Sequence, residues 1–212
     1  MGELTGGPFY DLIGKTGNNV GRKVRGKNTF SMAPPKRKKP GTVNQQAWEN
    51  FMKQMFAMVK SLKALVEVGF STYTDRMSAS NAALQYNAKN AVMGVAPNYS
   101  IDYAKLMYSK GTTVAPDFGT VEAIAGGKVD IGWEMPVNTS FALSTDMAYF
   151  MAYCAQADRY AIVEAAVPRS ALTYQMKLPQ IFVGKEAHVY MSFVSVLGRP
   201  GNSVYLGVVE VV

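Results

Sequence analysis

One cysteine, Cys154, and one histidine, His188, are all that the 212-residue chain holds of either. A single cysteine excludes an intramolecular disulfide. One of each cannot assemble the His/Cys ligand set of a zinc site. Cys154 lies inside the apolar stretch 147–157, which suits a small buried hydrophobe. Its neighbours supply none of the positive charge that activates a thiol. His188 has apolar neighbours in sequence and suits a surface or hydrogen-bonded sheet position. The 15 acidic residues are scattered, so no carboxylate pair stands out for acid–base work. There is no Asp-rich loop with a glycine turn for calcium, and no nucleophile-elbow pattern that would recruit His188 into a triad. Long apolar runs are missing too. None approaches the ~18 residues of a membrane span, and the longest, 147–157 and 187–198, read as buried strands. The N-terminus has no charged-then-apolar secretory pattern. These absences point away from an enzyme, and no cofactor or metal is expected.

Excess charge is concentrated in one place. The net charge is +7. Residues 1–40 carry Lys15, Arg22, Lys23, Arg25, Lys27, Lys36, Arg37, Lys38 and Lys39 against only Glu3 and Asp11, which accounts for the whole excess. The thirteen basic and thirteen acidic residues that remain cancel. A neutral body with a basic tail suits contact with nucleic acid or with an acidic protein surface.

The same segment is dense in glycine and proline, which exclude a long helix. Phe9-Tyr10-Asp11-Leu12-Ile13 and Asn28-Thr29-Phe30-Ser31-Met32 have the composition of short strands, and Pro34-Pro35 favours an extended stretch. The expectation is an extended arm that orders only against something else. Its cations are the candidate contacts to a partner or to phosphates. Gly14-Lys15-Thr16 looks like the end of a phosphate-binding loop. However, Phe9 stands where that motif needs its first glycine, and Asn18-Asn19-Val20-Gly21 breaks the helix that should follow. Turns and close backbone approach explain the glycines better.

Beyond Thr42 the pattern becomes helical. Trp48, Phe51, Met52, Met55, Val59, Leu62, Leu65 and Val66 recur at steps of mostly three and four, predicting an amphipathic helix over 43–68 that stops at Gly69. Phe56, Met58 and Val68 widen the stripe. It can serve the chain's own core, or a pliable contact between subunits in which Phe51, Met55 and Met58 would take part. A second helix is expected from 78 or 80 to 92. Its Asn81, Asn87 and Asn90 need hydrogen-bond partners if buried, with loop backbone, the arm included, expected to supply them.

Several of these residues carry a resemblance. Asn81-Ala82-Ala83, Tyr86-Asn87, Lys89-Asn90-Ala91-Val92, Gly94, Pro97, Tyr99 and Ile101-Asp102-Tyr103-Ala104 are similar to a bacterial, phage-associated family of unknown function. So are the Gly14-Lys15, Gly17, Val20-Gly21 spacing and the closing Asn202-Ser203-Val204-Tyr205. The resemblance spans essentially the whole chain. It implies a helical N-terminal part and a β-rich C-terminal part, with no catalytic residues to carry over.

From about residue 100 the period changes to two. Strands are expected at 101–109, 121–125, 128–134, 147–155, 160–167, 171–178, 186–197 and 203–211, separated by Gly, Pro and Asp turns. Many short strands without long helices between them predict an antiparallel sandwich of fibronectin or immunoglobulin type, with Trp133 and Tyr190 in core and corner roles.

The fold class expected is therefore α+β: an extended basic arm over 1–41, two helices over 42–99 and an antiparallel β-sandwich over 100–212. Three functions fit. The first is a structural or assembly protein, such as a phage particle or filament-type subunit, whose arm straps onto neighbouring subunits of a homo-oligomer or other assembly. The second is a protein that binds nucleic acid non-specifically through phosphates, since no sequence-reading motif is present. The third is a sandwich module holding a protein or glycan.

Overall fold

The structure, a computed structural model, describes residues 2–35, 40–75, 77–136 and 141–212. The chain divides into two compact units, Met1–Thr42 and Val43–Val212.

Described residues of the first unit form four short strands: β1 (Gly2–Leu4), β2 (Gly14–Thr16), β3 (Asn19–Val24) and β4 (Lys27–Met32). They make one antiparallel sheet in the order β1-β4-β3-β2. This corrects the expected extended form of the arm, because strands within residues 2–32 pair with one another. Glycine turns make that possible. Gly17 takes the positive φ (59°) of a two-residue hairpin, and the β3–β4 turn places Arg25 (φ 52°) and Gly26 (φ 79°) both in the left-handed region. Residues 9–13, expected as a strand, fold instead as turns, with Leu12 N–H donating to Phe9 O. A Cβ on Gly21 would collide with the Leu12 carbonyl, so glycine is required there. Gly14–Thr16 is a strand, not the opening of a helix.

In the second unit, the helix expected over 43–68 is two: α1 (Val43–Ser61) and α2 (Lys63–Gly69). Leu62 leaves helical geometry (φ −94°, ψ 18°), and the Ser61 hydroxyl donates to Ala57 O, a back-bond that bends helices. The next helix, α3 (Ala79–Asn90), is capped by the Ser78 hydroxyl, which accepts from Asn81 N–H. Asn87 is buried and fully used. Its amide donates to Ala83 O and Met107 O (2.7 Å), and its carbonyl accepts from Met107 N–H (2.9 Å). The short strands β5 (Val92–Val95) and β6 (Asn98–Ile101) follow as a hairpin, so the boundary expected at 99/100 falls inside β6.

The strand expected at 101–109 does not form. Asp102 instead caps a 3-10 turn, Tyr103–Lys105, by accepting from Ala104 N–H. Segment 108–113 then runs beside 199–203. Ser109 donates to Gly201 O (2.7 Å), Ser203 Oγ accepts from Tyr108 N–H, and the Asn202 side chain accepts from Gly111 N–H.

The remaining strands build two antiparallel sheets. One contains β7 (Asp117–Ile124), β8 (Lys128–Glu134) and β11 (Thr173–Lys177), in the order β11-β8-β7. The other contains β9 (Met147–Cys154), β10 (Arg159–Val163), β12 (Glu186–Val194) and β13 (Val204–Glu210), in the order β10-β9-β12-β13. Strand alternation divides the core. Phe150, Ala152 and Cys154 of β9 join Val189, Met191 and Phe193 of β12 against Val129, Ile131 and Trp133 of β8. Met151 and Tyr190, on the opposite faces, join Phe51, Met55 and Met58 of α1. β9 and β12 are thus covered on both sides, by the other sheet and by the helices. This is why their sequences are almost continuously apolar. The fold is α+β with an antiparallel β-sandwich.

A buried ion pair lies within the sandwich. Arg169 and Asp146 are 0% and 1% exposed, with Nη2 3.2 Å from Oδ2. The same Nη2 donates to Val114 O (2.7 Å), and the guanidinium lies 3.7 Å from the Phe193 ring centroid. Asp146 also accepts from Leu143 N–H, and Trp133 Nε1 donates to Arg169 O (2.8 Å). Removing one partner strands the other charge in the core. Arg169→Ala is therefore expected to lower unfolding free energy by about 3–5 kcal/mol in urea titrations, and Arg169→Met with Asp146→Leu to cost clearly less. A loss below about 1 kcal/mol for Arg169→Ala would refute this role.

Candidate partner-binding surfaces

Cross-strand register sorts the cations of the first unit. Residues that pair directly share a face of the sheet. Lys15 pairs with Val20, Arg22 with Thr29, and Val24 with Lys27. Lys15, Arg22 and Lys27 therefore share one face with Val20, Val24 and Glu3. Leu4, Phe30 and Met32 share the other with Lys23, and Arg25 occupies the turn. Lys27 pairs with Glu3 at 3.1 Å, both well exposed, so the pair adds little stability. Lys36, Arg37, Lys38 and Lys39 lie outside the described residues.

No apolar side chain among the described residues of this unit is buried, whereas Phe9, Ile13 and Met32 are 61%, 71% and 76% exposed. The contact residues considered on α1 behave in the opposite way. Phe51, Met55 and Met58 are buried in the chain's own core and present nothing to another subunit, which corrects that expectation. The physical reason is that the helix lies on the outer face of β9 and β12, which needs an apolar cover.

His188 belongs to a network of rings that the sequence did not reveal. It stacks on Tyr103 at 4.5 Å, and its Nδ1 is 3.0 Å from the Tyr205 hydroxyl. Tyr153 stacks on Tyr160 at 4.5 Å and packs against Tyr103 at 5.4 Å. The Tyr190 hydroxyl donates to Tyr103 O (2.7 Å). These tyrosines come from the 3-10 turn at 103 and from β9, β10, β12 and β13, so only strand register unites them. Burial, and after it the Asp158 carboxylate, pushes the Tyr160 phenol up; burial and neighbouring tyrosines push Tyr153 up. Both hydroxyls stay neutral in ordinary buffers and act as hydrogen-bonding groups. Tyr103, Tyr153 and Tyr160 border a cleft of about 430 Å³ whose other walls include Gln54, Ser61 and Asp158. The arrangement offers stacking and hydrogen bonding. His188 thus meets the Tyr103 ring face and the Tyr205 hydroxyl, so its ring is both packed and hydrogen-bonded. Cys154 is fully buried. Among the described residues no group of three His, Cys, Asp or Glu side chains could hold a metal, and no helix is long and apolar enough to cross a membrane.

The fold defines a sandwich-type module. The chain belongs to a family of unknown function, DUF6266, whose family model matches residues 11–207. No curated protein matches the chain. Similar solved structures include the fibronectin type III domain of human collagen alpha-1(XX), at 14% identity over 49% of this chain and 90% of that one, with a TM-score of 0.37. That of human contactin 1 is 11% identical over 49% and 83%, with a TM-score of 0.31.

His188 carries a pH dependence. Burial lowers its pKa below the usual 6.5 despite the opposing pull of Glu186. The unfolded chain therefore takes up a proton before the folded one does. Stability from this site is complete above about 6.5 and is lost as pH falls toward the folded value. Denaturant midpoints measured from pH 7.5 downward should fall in that window, and His188→Gln should flatten the slope. An unchanged slope in the variant would remove His188 as its source.

Proposed function

We propose that this protein is a non-enzymatic assembly subunit. The sandwich with its helices is the rigid body, and residues 1–42 supply the contact to a neighbouring copy of the chain. One observation carries the reading: the four-stranded N-terminal sheet buries no apolar side chain among its described residues, yet exposes Phe9, Ile13 and Met32. A sheet of about 40 residues without a core is marginal on its own, and docking supplies the missing burial. The larger unit of a neighbour offers apolar surface in return, with Val95, Phe118 and Leu197 each 79–80% exposed. Its near-zero net charge opposes no cationic partner. A particle or filament built from repeated copies is the kind of assembly such a contact would serve.

A second reading rests on a separate observation, the shared face of Lys15, Arg22 and Lys27. That face suits phosphates of a nucleic acid bound without regard to sequence.

Both core clusters lie entirely within 43–212, so a chain beginning at Thr42 should retain its fold. Light scattering of full-length and truncated chains at low and high salt tests the proposal. The full chain should exceed monomer mass at both salts, because apolar docking resists screening, and the truncated chain should be monomeric. Two monomeric chains would sink it. For the second reading, replacing Lys15, Arg22 and Lys27 with alanine should reduce the log–log salt slope of duplex DNA binding by about 0.9 per lost phosphate contact. An unchanged slope would discard it.

A further inference from the structure

Lys110 sits where charge and aromatic surface meet. Its backbone N–H donates to Gly69 O (2.9 Å), which anchors it beside the end of α2. Its ammonium lies 4.6 Å from the centroid of the Tyr86 ring and 5.3 Å from that of Tyr73. Both rings pack against the buried Phe70, at 6.4 and 5.9 Å. These groups border one open cavity of about 410 Å³, whose walls also include Met77 and Lys89.

Two ring faces attract an ammonium but leave its charge uncompensated. Neither lysine pairs with a carboxylate among the described residues, and no Asp or Glu is among the described residues lining the cavity. The cavity thus joins cationic and aromatic groups in its lining, with Lys110 lying over the tyrosine rings. Its volume falls within the roughly 300–1,000 Å³ of small-molecule sites. A simple phosphate would use the lysines and leave the apolar walls wet. A neutral aromatic would use the walls and leave two ammonium groups unanswered.

We propose that this cavity binds a small aromatic carboxylate. The carboxylate accepts from Lys110 and Lys89. The ring packs edge-on or offset against Tyr73, which is exposed where Phe70 is buried, and against Met77, the arrangement that aromatic quadrupoles favour. Such a site is independent of how residues 1–42 dock.

The test titrates the full-length protein, carrying methyl-labelled methionine, with benzoate, benzyl alcohol or inorganic phosphate, and follows the Met77 methyl resonance by NMR. Benzoate should move the resonance in a saturable way at millimolar concentration. Benzyl alcohol and phosphate should move it far less. Lys110→Met keeps the aliphatic stem on the rings and removes the charge. It should weaken benzoate binding by about tenfold or more, the size of one charge-assisted hydrogen bond. Lys110→Arg should retain binding, and an unchanged melting temperature in both variants shows that the fold is intact. An unmoved Met77 signal, equal response to benzyl alcohol or phosphate, or wild-type affinity in Lys110→Met would each overturn the proposal.

Discussion

A charged pair without solvent, Arg169 and Asp146, is where the sandwich is tied together. One guanidinium nitrogen reaches the Asp146 carboxylate and the Val114 carbonyl, and the group's central carbon lies 3.7 Å from the Phe193 ring centroid. The backbone joins in: Arg169 N–H donates to Asp146 O, and Trp133 donates to Arg169 O. Four segments distant in sequence, around 114, 133, 146 and 169, thereby converge on one residue. Burying two charges costs several kcal/mol of desolvation, so such a pair persists only where its geometry is held from many sides. The segment before β7, the approach to β9 and the turn before β11 depend on it for their positions. So does the packing of Trp133 against Phe150 and Phe193.

The second constraint is the double cover of β9 and β12. One face closes the sandwich core, and the other receives the helices and carries the tyrosine network. This accounts for the fate of the α1 stripe. A sheet with two apolar faces cannot leave one in water, so Phe51, Met55 and Met58 cover it. The same demand explains why the ring network around His188 packs together on this face.

Much of this was legible in the chain. Apolar steps of three and four marked the helical stretch 43–68 but not its break at Leu62, Ser78 or Ser80 marked the start of α3, and period-two patterns bounded by Gly and Pro marked β7 through β13. Other features were hidden for stated reasons. The Asp102 cap turned a strand-like pattern into a 3-10 turn, because a side-chain acceptor outcompeted the ladder. Residues 2–32 looked like a strap because their strands are three to six residues long and weakly patterned. Only the paired glycine turns reveal the sheet. Asn87 finds the expected loop backbone at Met107 rather than in the arm, with Ala83 of its own helix as a further partner, and no local rule announces that Met107, twenty residues away, is the one.

By itself, then, the sequence determined what depends on composition and local spacing. It placed the positive charge before residue 41, limited the options for metal and disulfide chemistry, set the helix and strand order, and required apolar layers. Tertiary structure decided everything that depends on register and convergence. It brought Arg169 to Asp146 across 23 residues, gathered tyrosines from five elements around His188, and set Lys110 over the rings of Tyr73 and Tyr86. The reason is physical. Propensity and periodicity act over a few residues, whereas ion pairs, ring stacks and cavities form between groups that only the closed sheets bring within a few ångströms.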